Sequence, residues 1–187
     1  MHALAGLLCT ALFVTTYCHA AIPGMEDCST PSSQGKFIDG EITPCGANPC
    51  VLVKGQNTSI TLKFIATNLV KGGKIVVHGI IAGIAVPFTL PDNDLCHFVQ
   101  PGCSIQPNLA EQMDYSLYVK ESYPSIQLTI KWQLVNDVGV DLVCIKFPAK
   151  LSSTPPTETS TPRPPTRTLF GHLRHILGKW LSFGSRV

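Results

Sequence analysis

An all-β sandwich with an apolar cavity between its sheets is the fold class this sequence predicts. In residues 125–134, Ile126, Leu128, Ile130, Trp132 and Leu134 alternate with Gln127, Thr129, Lys131 and Gln133. A period of two gives a strand one dry face and one wet face. Residues 74–88, KIVVHGIIAGIAVPF, are instead apolar on both parities, broken only by small residues and His78. With Gly79, Ala82, Gly83 and Ala85 in it, this stretch has more apolar surface than bulk to fill a core. Either another element packs closely on those small residues, or something other than protein fills the space. That surplus suits a sandwich built around a lipid-like hydrophobe. Elsewhere, short runs rich in β-branched residues are separated by Gly, Pro, Asn and Asp clusters, the spacing expected of sandwich strands.

The strand candidates are 35–42, 59–66, 74–85, 115–119, 125–134 and 141–147. In the second, Ile60, Leu62 and Phe64 alternate with Thr61 and Lys63, again one buried face. No internal repeat is visible, and no long helix is expected before residue 169. Residues 21–150 make one domain of ordinary size.

Residues 1–20 read as a secretory signal peptide: an apolar run from Ala3 to Val14 leads to Cys18-His19-Ala20, with small residues where a signal peptidase cuts. A run of this length is short of the roughly 20 residues that span a bilayer. Removing it leaves six cysteines, Cys28, Cys45, Cys50, Cys96, Cys103 and Cys144, on an oxidising route, which predicts three disulfides. Cys45 with Cys50 and Cys96 with Cys103 bound short, turn-rich loops that can close on themselves, leaving Cys28 for Cys144. Neither CxxC pairs nor a histidine cluster accompany them, so no metal site and no cofactor are expected.

Charge is unevenly placed. All four arginines lie beyond residue 150, with Lys179 and a single acid, Glu158, whereas the body up to Lys150 is mildly acidic. The net charge of +2 hides a near-neutral domain with a basic tail, and nothing points to a nucleic-acid partner. Residues 151–168 are a Pro/Ser/Thr-rich linker, extended and solvated and suited to O-linked sugar. In 169–187, Leu169, Phe170, Leu173, Ile176, Leu177, Trp180, Leu181 and Phe183 share one helical arc. His172, Arg174, His175, Lys179 and Arg186 lie on the other, while Gly171, Gly178 and Gly184 leave the segment disordered alone in water. An amphipathic tail of this kind fits an anionic membrane surface.

Several spaced pieces carry a resemblance: Pro44-Cys45, Pro49-Cys50, Lys54-Gly55-Gln56, Val76-Val77-His78-Gly79-Ile80, Val86-Pro87-Phe88, Tyr123-Pro124-Ser125-Ile126 and Trp132-Gln133-Leu134. Over residues 27–148 the chain resembles the soluble lumenal Niemann–Pick type C sterol carriers of the ML lipid-recognition family, with the six cysteines in family order. The resemblance implies an immunoglobulin-like sandwich that binds a sterol between its sheets, with slight recognition of the hydroxyl. It also implies pairing of Cys28–Cys144, Cys45–Cys50 and Cys96–Cys103, in agreement with the spacing. Carried over by motif, the portal and pocket residues are Val86, Phe88, Val119, Tyr123, Pro124 and Trp132. The implied acceptor is the large polytopic Niemann–Pick type C membrane protein, and the implied setting is secreted or lysosomal. Three departures stand out: Thr89-Leu90 where the family has Pro-Ile, Ile145 where a Trp often follows the last cysteine, and the tail.

Read on residues alone, Phe88, Tyr123 and Trp132 are ordinary core aromatics; the resemblance is what makes them ligand-lining. His78 reads as a histidine satisfied within a strand, and His97, beside Cys96, as exposed. With the cysteines committed to disulfides, no catalytic triad can be assembled, so a non-enzymatic monomer is expected. Asn57-Thr58-Ser59 is an N-glycosylation sequon at a turn before a strand. Lys120 and the Lys71-Gly72-Gly73-Lys74 turn are candidates for anionic lipid heads. Besides a sterol carrier, the residues allow a carrier of a fatty acid or chemical signal, or an innate-immunity protein that recognises bacterial lipid.

Overall fold

The computed structural model describes residues 24–155. The expected signal peptide, most of the linker and the amphipathic tail lie outside the described residues. Ten strands form: β1 (Glu26–Asp27), β2 (Gly35–Thr43), β3 (Cys50–Val53), β4 (Asn57–Ala66), β5 (Gly73–Ile81), β6 (Ile84–Phe88), β7 (Val99–Gln100), β8 (Ala110–Tyr118), β9 (Gln127–Asn136) and β10 (Asp141–Ser152), with one 3-10 turn at Leu95–His97. One sheet runs β1-β10-β9-β5-β6, with β3 also on β10; the other runs β2-β4-β8-β7. Pairing is antiparallel except between β3 and β10. This is the two-sheet sandwich that the alternating strands predict.

Alternation decides which side chains face inward. On β4, Ile60, Leu62, Phe64 and Ala66 are buried, and across from them β5 contributes Ile75 and Val77, and β9 Trp132 and Leu134. Val70 and Ile105 from the loops, Leu95 from the 3-10 turn and Val99 from β7 close one end of this core. Asn136, buried at the end of β9, is satisfied: it donates to Gln34 Oε1 at 2.9 Å and accepts from the N–H groups of Val138 and Val140. A buried amide with such partners shapes the β9–β10 turn at little cost.

Several strand ends differ from the sequence reading, β8 most, since it runs over Ala110–Tyr118 rather than 115–119, and two further differences shape the site. The stretch 74–85 is not one strand but the hairpin β5–β6, turning at Ala82 and Gly83 with φ of 48° and 83°. Two left-handed residues are what a two-residue hairpin turn demands, but Ala-Gly announces it less clearly than Asn-Gly. The domain also runs past Lys150: β10 continues through Leu151 and Ser152 because these pair in parallel with Leu52 and Val53. The short strands β1, β3 and β7 have too few residues to show a period.

The loop after β6 is held by a local network. Asp94 caps the 3-10 turn by accepting from the Cys96 N–H at 2.9 Å, and Asp92 accepts from the Asp94 N–H at 3.0 Å. Tyr115 on β8 donates its hydroxyl to the Asp92 carbonyl at 2.8 Å. His97 is exposed, as expected, yet its Nδ1 lies 2.8 Å from Asp92 Oδ2 and its Nε2 is 3.8 Å from Asp94. The Asp92 hydrogen bond, then the charges of Asp92 and Asp94, raise the His97 pKa above 6.5.

The three disulfides are Cys28–Cys144, Cys45–Cys50 and Cys96–Cys103, separated by 116, 5 and 7 residues. Loop-closure entropy makes the first worth about 5 kcal/mol and each short one about 2 kcal/mol. Replacing Cys28 and Cys144 together by Ser should therefore lower the melting temperature, or secreted yield, more than replacing Cys45 and Cys50. Comparable losses for the two pairs in thermal unfolding would contradict this.

Because its pKa is raised on folding, His97 contributes stability that is full below pH 6.5 and lost as the pH rises through the folded value. Asp92 is lowered, by the Asp94 N–H first and His97 second, so its share is lost only as the pH falls through a value below 3.8. The melting-temperature gap between wild type and His97→Ala should thus be present at pH 5 and shrink by pH 8. Because both groups are exposed, the gap should be small. A gap independent of pH would remove the ion pair from the account.

Candidate ligand-binding site

The inner faces meet closely at the Leu95 end and part at the other. There a cavity of about 80 Å³ is lined by Ile42, Leu52, Thr58, Ile60, Val77, Gly79, Phe88, Leu117, Val119, Tyr123, Leu128, Ile130, Trp132, Phe147 and Leu151, with His78 at its edge. Inward-facing residues of eight strands build it: Ile42 from β2, Leu52 from β3, Thr58 and Ile60 from β4, Val77 and Gly79 from β5, Phe88 from β6, Leu117 from β8, Leu128, Ile130 and Trp132 from β9, and Phe147 and Leu151 from β10. No charged side chain lines it.

Aromatic rings mark the two ends of the cavity. Phe88 and Tyr123 meet edge to face, centroids 5.5 Å apart at 71°. Both are half-buried, so this pair stands at the mouth. Burial raises the Tyr123 phenol pKa, keeping it neutral and a donor. The loop that carries Tyr123 is pinned from behind: Lys54 Nζ donates to the Tyr123 carbonyl at 3.1 Å, and the Gly55 N–H donates to the Val119 carbonyl at 2.7 Å. At the inner end Trp132 packs edge to face on Tyr115 at 5.5 Å, and Tyr115 on Phe98 at 4.3 Å. Trp132 Nε1 is buried there without a partner.

Of the residues singled out in the sequence, Phe88, Val119, Tyr123 and Trp132 come together around this cavity. Val86 and Pro124 do not line it. Val86 shares a face of β6 with Phe88 but is 45% exposed, one step out along the hairpin, and Pro124 is exposed on the loop. Ile145 is fully buried opposite Trp132 rather than in the cavity wall. His78, between Val77 and Gly79 on β5, also borders the cavity, and its Nδ1 is buried without a hydrogen-bonding partner. Asn57 is exposed at the first position of β4.

The lysines separate as well. Lys120 lies on the mouth loop, whereas Lys71 and Lys74 sit at the far end of β5, roughly 25 Å from the hairpin tip at 3.3 Å per residue. Ile42, Leu52, Thr58, Leu117 and Leu151 are walls that no motif announced. From Phe88 outward, Val86 and Ile84 continue one apolar strip to the tip, where Ile84 is 69% exposed.

Residues 24–151 match the ML domain. The chain belongs to the ML domain family. Over 126 residues it is 38% identical to the NPC intracellular cholesterol transporter 2 of Danio rerio, covering 67% of this chain and 82% of that protein. The protein of the same name from Canis lupus familiaris is 36% identical over 126 residues, 67% of this chain and 83% of its own. Among solved structures, a Niemann-Pick type C2 protein from Japanese carpenter ant superposes with a TM-score of 0.62 at 26% identity, covering 68% of this chain and 98% of that one. The family match and the sandwich therefore span the same residues that build the cavity.

Gly79 faces the cavity where any side chain would intrude: a Cβ there would stand 2.8 Å from Leu128 Cδ1. Leu128 can yield only toward the free volume. Gly79→Ala should leave the domain folded but weaken uptake of an apolar fluorescent probe by about 1 kcal/mol, roughly fivefold. Titration beside thermal unfolding checks it, and unchanged uptake would mean that the cavity wall relaxes elsewhere.

Proposed function

We propose that this protein is a non-enzymatic sterol carrier that encloses cholesterol or a close relative between its sheets. It passes that cargo between membranes or to a membrane acceptor. The observation that carries the reading is the apolar cavity with the Phe88–Tyr123 pair at its mouth. It lies in a chain whose relatives bear the name of cholesterol transporters. An uncharged wall suits a ligand whose binding comes from apolar burial, about 25 cal/mol per Å², and asks for no catalytic group.

At about 80 Å³ the cavity is well below the roughly 300–1,000 Å³ that encloses a ligand of sterol size. Loading therefore parts the sheets. The element best placed to give is the β5–β6 hairpin, since β6 is an edge strand paired only with β5. Swinging it outward separates Phe88 from Tyr123 and opens the mouth. Val86 and Pro124 then act at the rim, touching the ligand as it passes, and Phe88, Val119, Tyr123 and Trp132 hold it within.

The acceptor we infer is the large polytopic Niemann–Pick type C membrane protein. The place of action is the extracellular space or the lysosomal lumen. Three disulfides support an oxidising route, and an exposed Asn57 leaves room for a glycan. The exposed apolar strip of Val86 and Ile84, and an exposed Lys120 on the loop that carries Tyr123, support approach to an anionic membrane with the mouth leading.

Phe88→Ala or Tyr123→Ser should weaken sterol binding at least about tenfold, or 1.4 kcal/mol, in a domain that stays folded. Val86→Ala, at the rim, should change equilibrium affinity far less. Fluorescent-sterol titration with thermal unfolding measures both. The lipid itself is identified by mass spectrometry of protein from its native source: a sterol supports the reading, whereas a fatty acid or lipid A replaces it.

A further inference from the structure

We propose that Lys54 is a positioning residue of the mouth: its ammonium holds Tyr123 in place against Phe88, and so sets the rate at which sterol enters and leaves. This rests on the sterol-carrier reading above and deepens it.

The loop from Val119 to Ile126 carries Tyr123 between β8 and β9. Backbone bonds fix its ends. The Val119 N–H donates to the Gln56 carbonyl at 2.9 Å, and the Val119 carbonyl accepts from the Gly55 N–H. At the other end the Ile126 carbonyl accepts from the Leu151 N–H at 2.8 Å. Between these ends the Tyr123 N–H donates to the Lys120 carbonyl at 3.2 Å, a bond within the loop itself. Among the described residues, what ties this middle part to the rest of the domain is the bond from Lys54 Nζ to the Tyr123 carbonyl, at 3.1 Å.

Lys54 is a firm post. Its own N–H donates to the Ser152 carbonyl at 2.8 Å, and β3 before it pairs with β10 as far as Val53. Gly55 follows with φ of 80°, and a Cβ there would stand 3.0 Å from Glu121 Oε1, so turn and loop lie against each other. A surface lysine ordinarily keeps its ammonium in water. Here the side chain is half-buried and its charge goes to a main-chain carbonyl, a bond stronger than a neutral one. Among the described residues Lys54 forms no ion pair, although Glu121 is close by. A carbonyl held at one point fixes the backbone that aims the Tyr123 ring, and that ring meets Phe88 edge to face at 5.5 Å. With Lys54 in place only the β5–β6 side of the mouth yields; without it both sides can part. The bond is made in the closed mouth whether or not a ligand lies inside. Its loss therefore speeds entry and exit alike and leaves affinity nearly unchanged.

The test follows dehydroergosterol, a fluorescent sterol, with the full chain in stopped flow: uptake from dilute solution, and release into neutral phosphatidylcholine vesicles. Lys54→Met keeps the apolar stem and removes the donor. It should raise both rates about three- to tenfold and shift equilibrium affinity by less than about twofold. Lys54→Arg should restore the slow rates. Lys36→Met removes an exposed lysine at the other end of the sandwich, where Lys36 pairs with Ile65, and should change neither rate. Thermal unfolding shows that each variant is folded, and Lys54→Gln, too short to reach the carbonyl, carries the same expectation should Lys54→Met be unstable. Unchanged rates, faster release with a matching loss of affinity, or equal acceleration by Lys36→Met would overturn the assignment and leave the carrier reading intact. Wild-type protein that takes up no sterol would overturn the carrier reading, and the assignment with it.

Discussion

The constraint on which the rest of this structure depends is a gap that its own side chains leave unfilled. Apolar walls that do not meet forgo the dispersion contacts a packed core would make. A sheet pair free to slide would close the gap. Here β10 is fixed within its own sheet by hydrogen bonds to β9, β1 and β3 and by the Cys28–Cys144 bond. The Gln34 N–H, just before β2 of the other sheet, donates to the Asp141 carbonyl at 2.7 Å.

How far the sequence reveals this differs from strand to strand. The alternation from Ile126 to Leu134 was legible because one face of β9 is buried along most of its length. The hairpin from Lys74 to Phe88 was not, because its apolar residues serve two purposes. Ile75 and Val77 are core, while Ile81, Ile84 and Val86 are exposed, and composition cannot tell burial from an exposed apolar tip. Disulfide pairing was legible because two of the loops can close on themselves and the family resemblance implies the same pairs. Phe88, Tyr123 and Trp132 became site residues through family resemblance, as strand aromatics are ordinarily core. Thr58 escaped notice altogether: in the sequence it is the middle residue of a sequon, and only the register of β4 turns it inward.

The sandwich divides its work between its ends. At one, Leu95, Ile105 and Val70 are fully buried under the Cys96–Cys103 loop, with Asp92, Asp94 and His97 clamping the turn outside. Tyr115 joins this end to the cavity, donating to the Asp92 carbonyl while its ring packs on Trp132. The inner wall of the cavity thus rests on the most constrained part of the molecule. The mouth rests on an edge hairpin and one loop, held by the Lys54 and Gly55 hydrogen bonds. Rigid at the back and yielding at the front, the site admits a ligand without disturbing the core that holds the sheets together.

The exposed strip beyond the mouth bears on what the yielding end meets. An edge strand with Ile84 and Val86 in solvent is a hazard, since it offers both apolar surface and unpaired backbone to another chain. Two features blunt the backbone part: β6 has five residues, and Pro87 removes one donor from it. Nothing blunts the apolar part, although a polar residue at position 84 would do so without touching the cavity, whose wall on β6 is Phe88 alone. Apolar side chains left in water beside a ligand mouth are best accounted for by a surface that covers them during transfer, a bilayer or an acceptor. Under the proposed carrier function, a surface that covers Ile84 and Val86 would also favour an outward position of β6, and so would couple docking to opening.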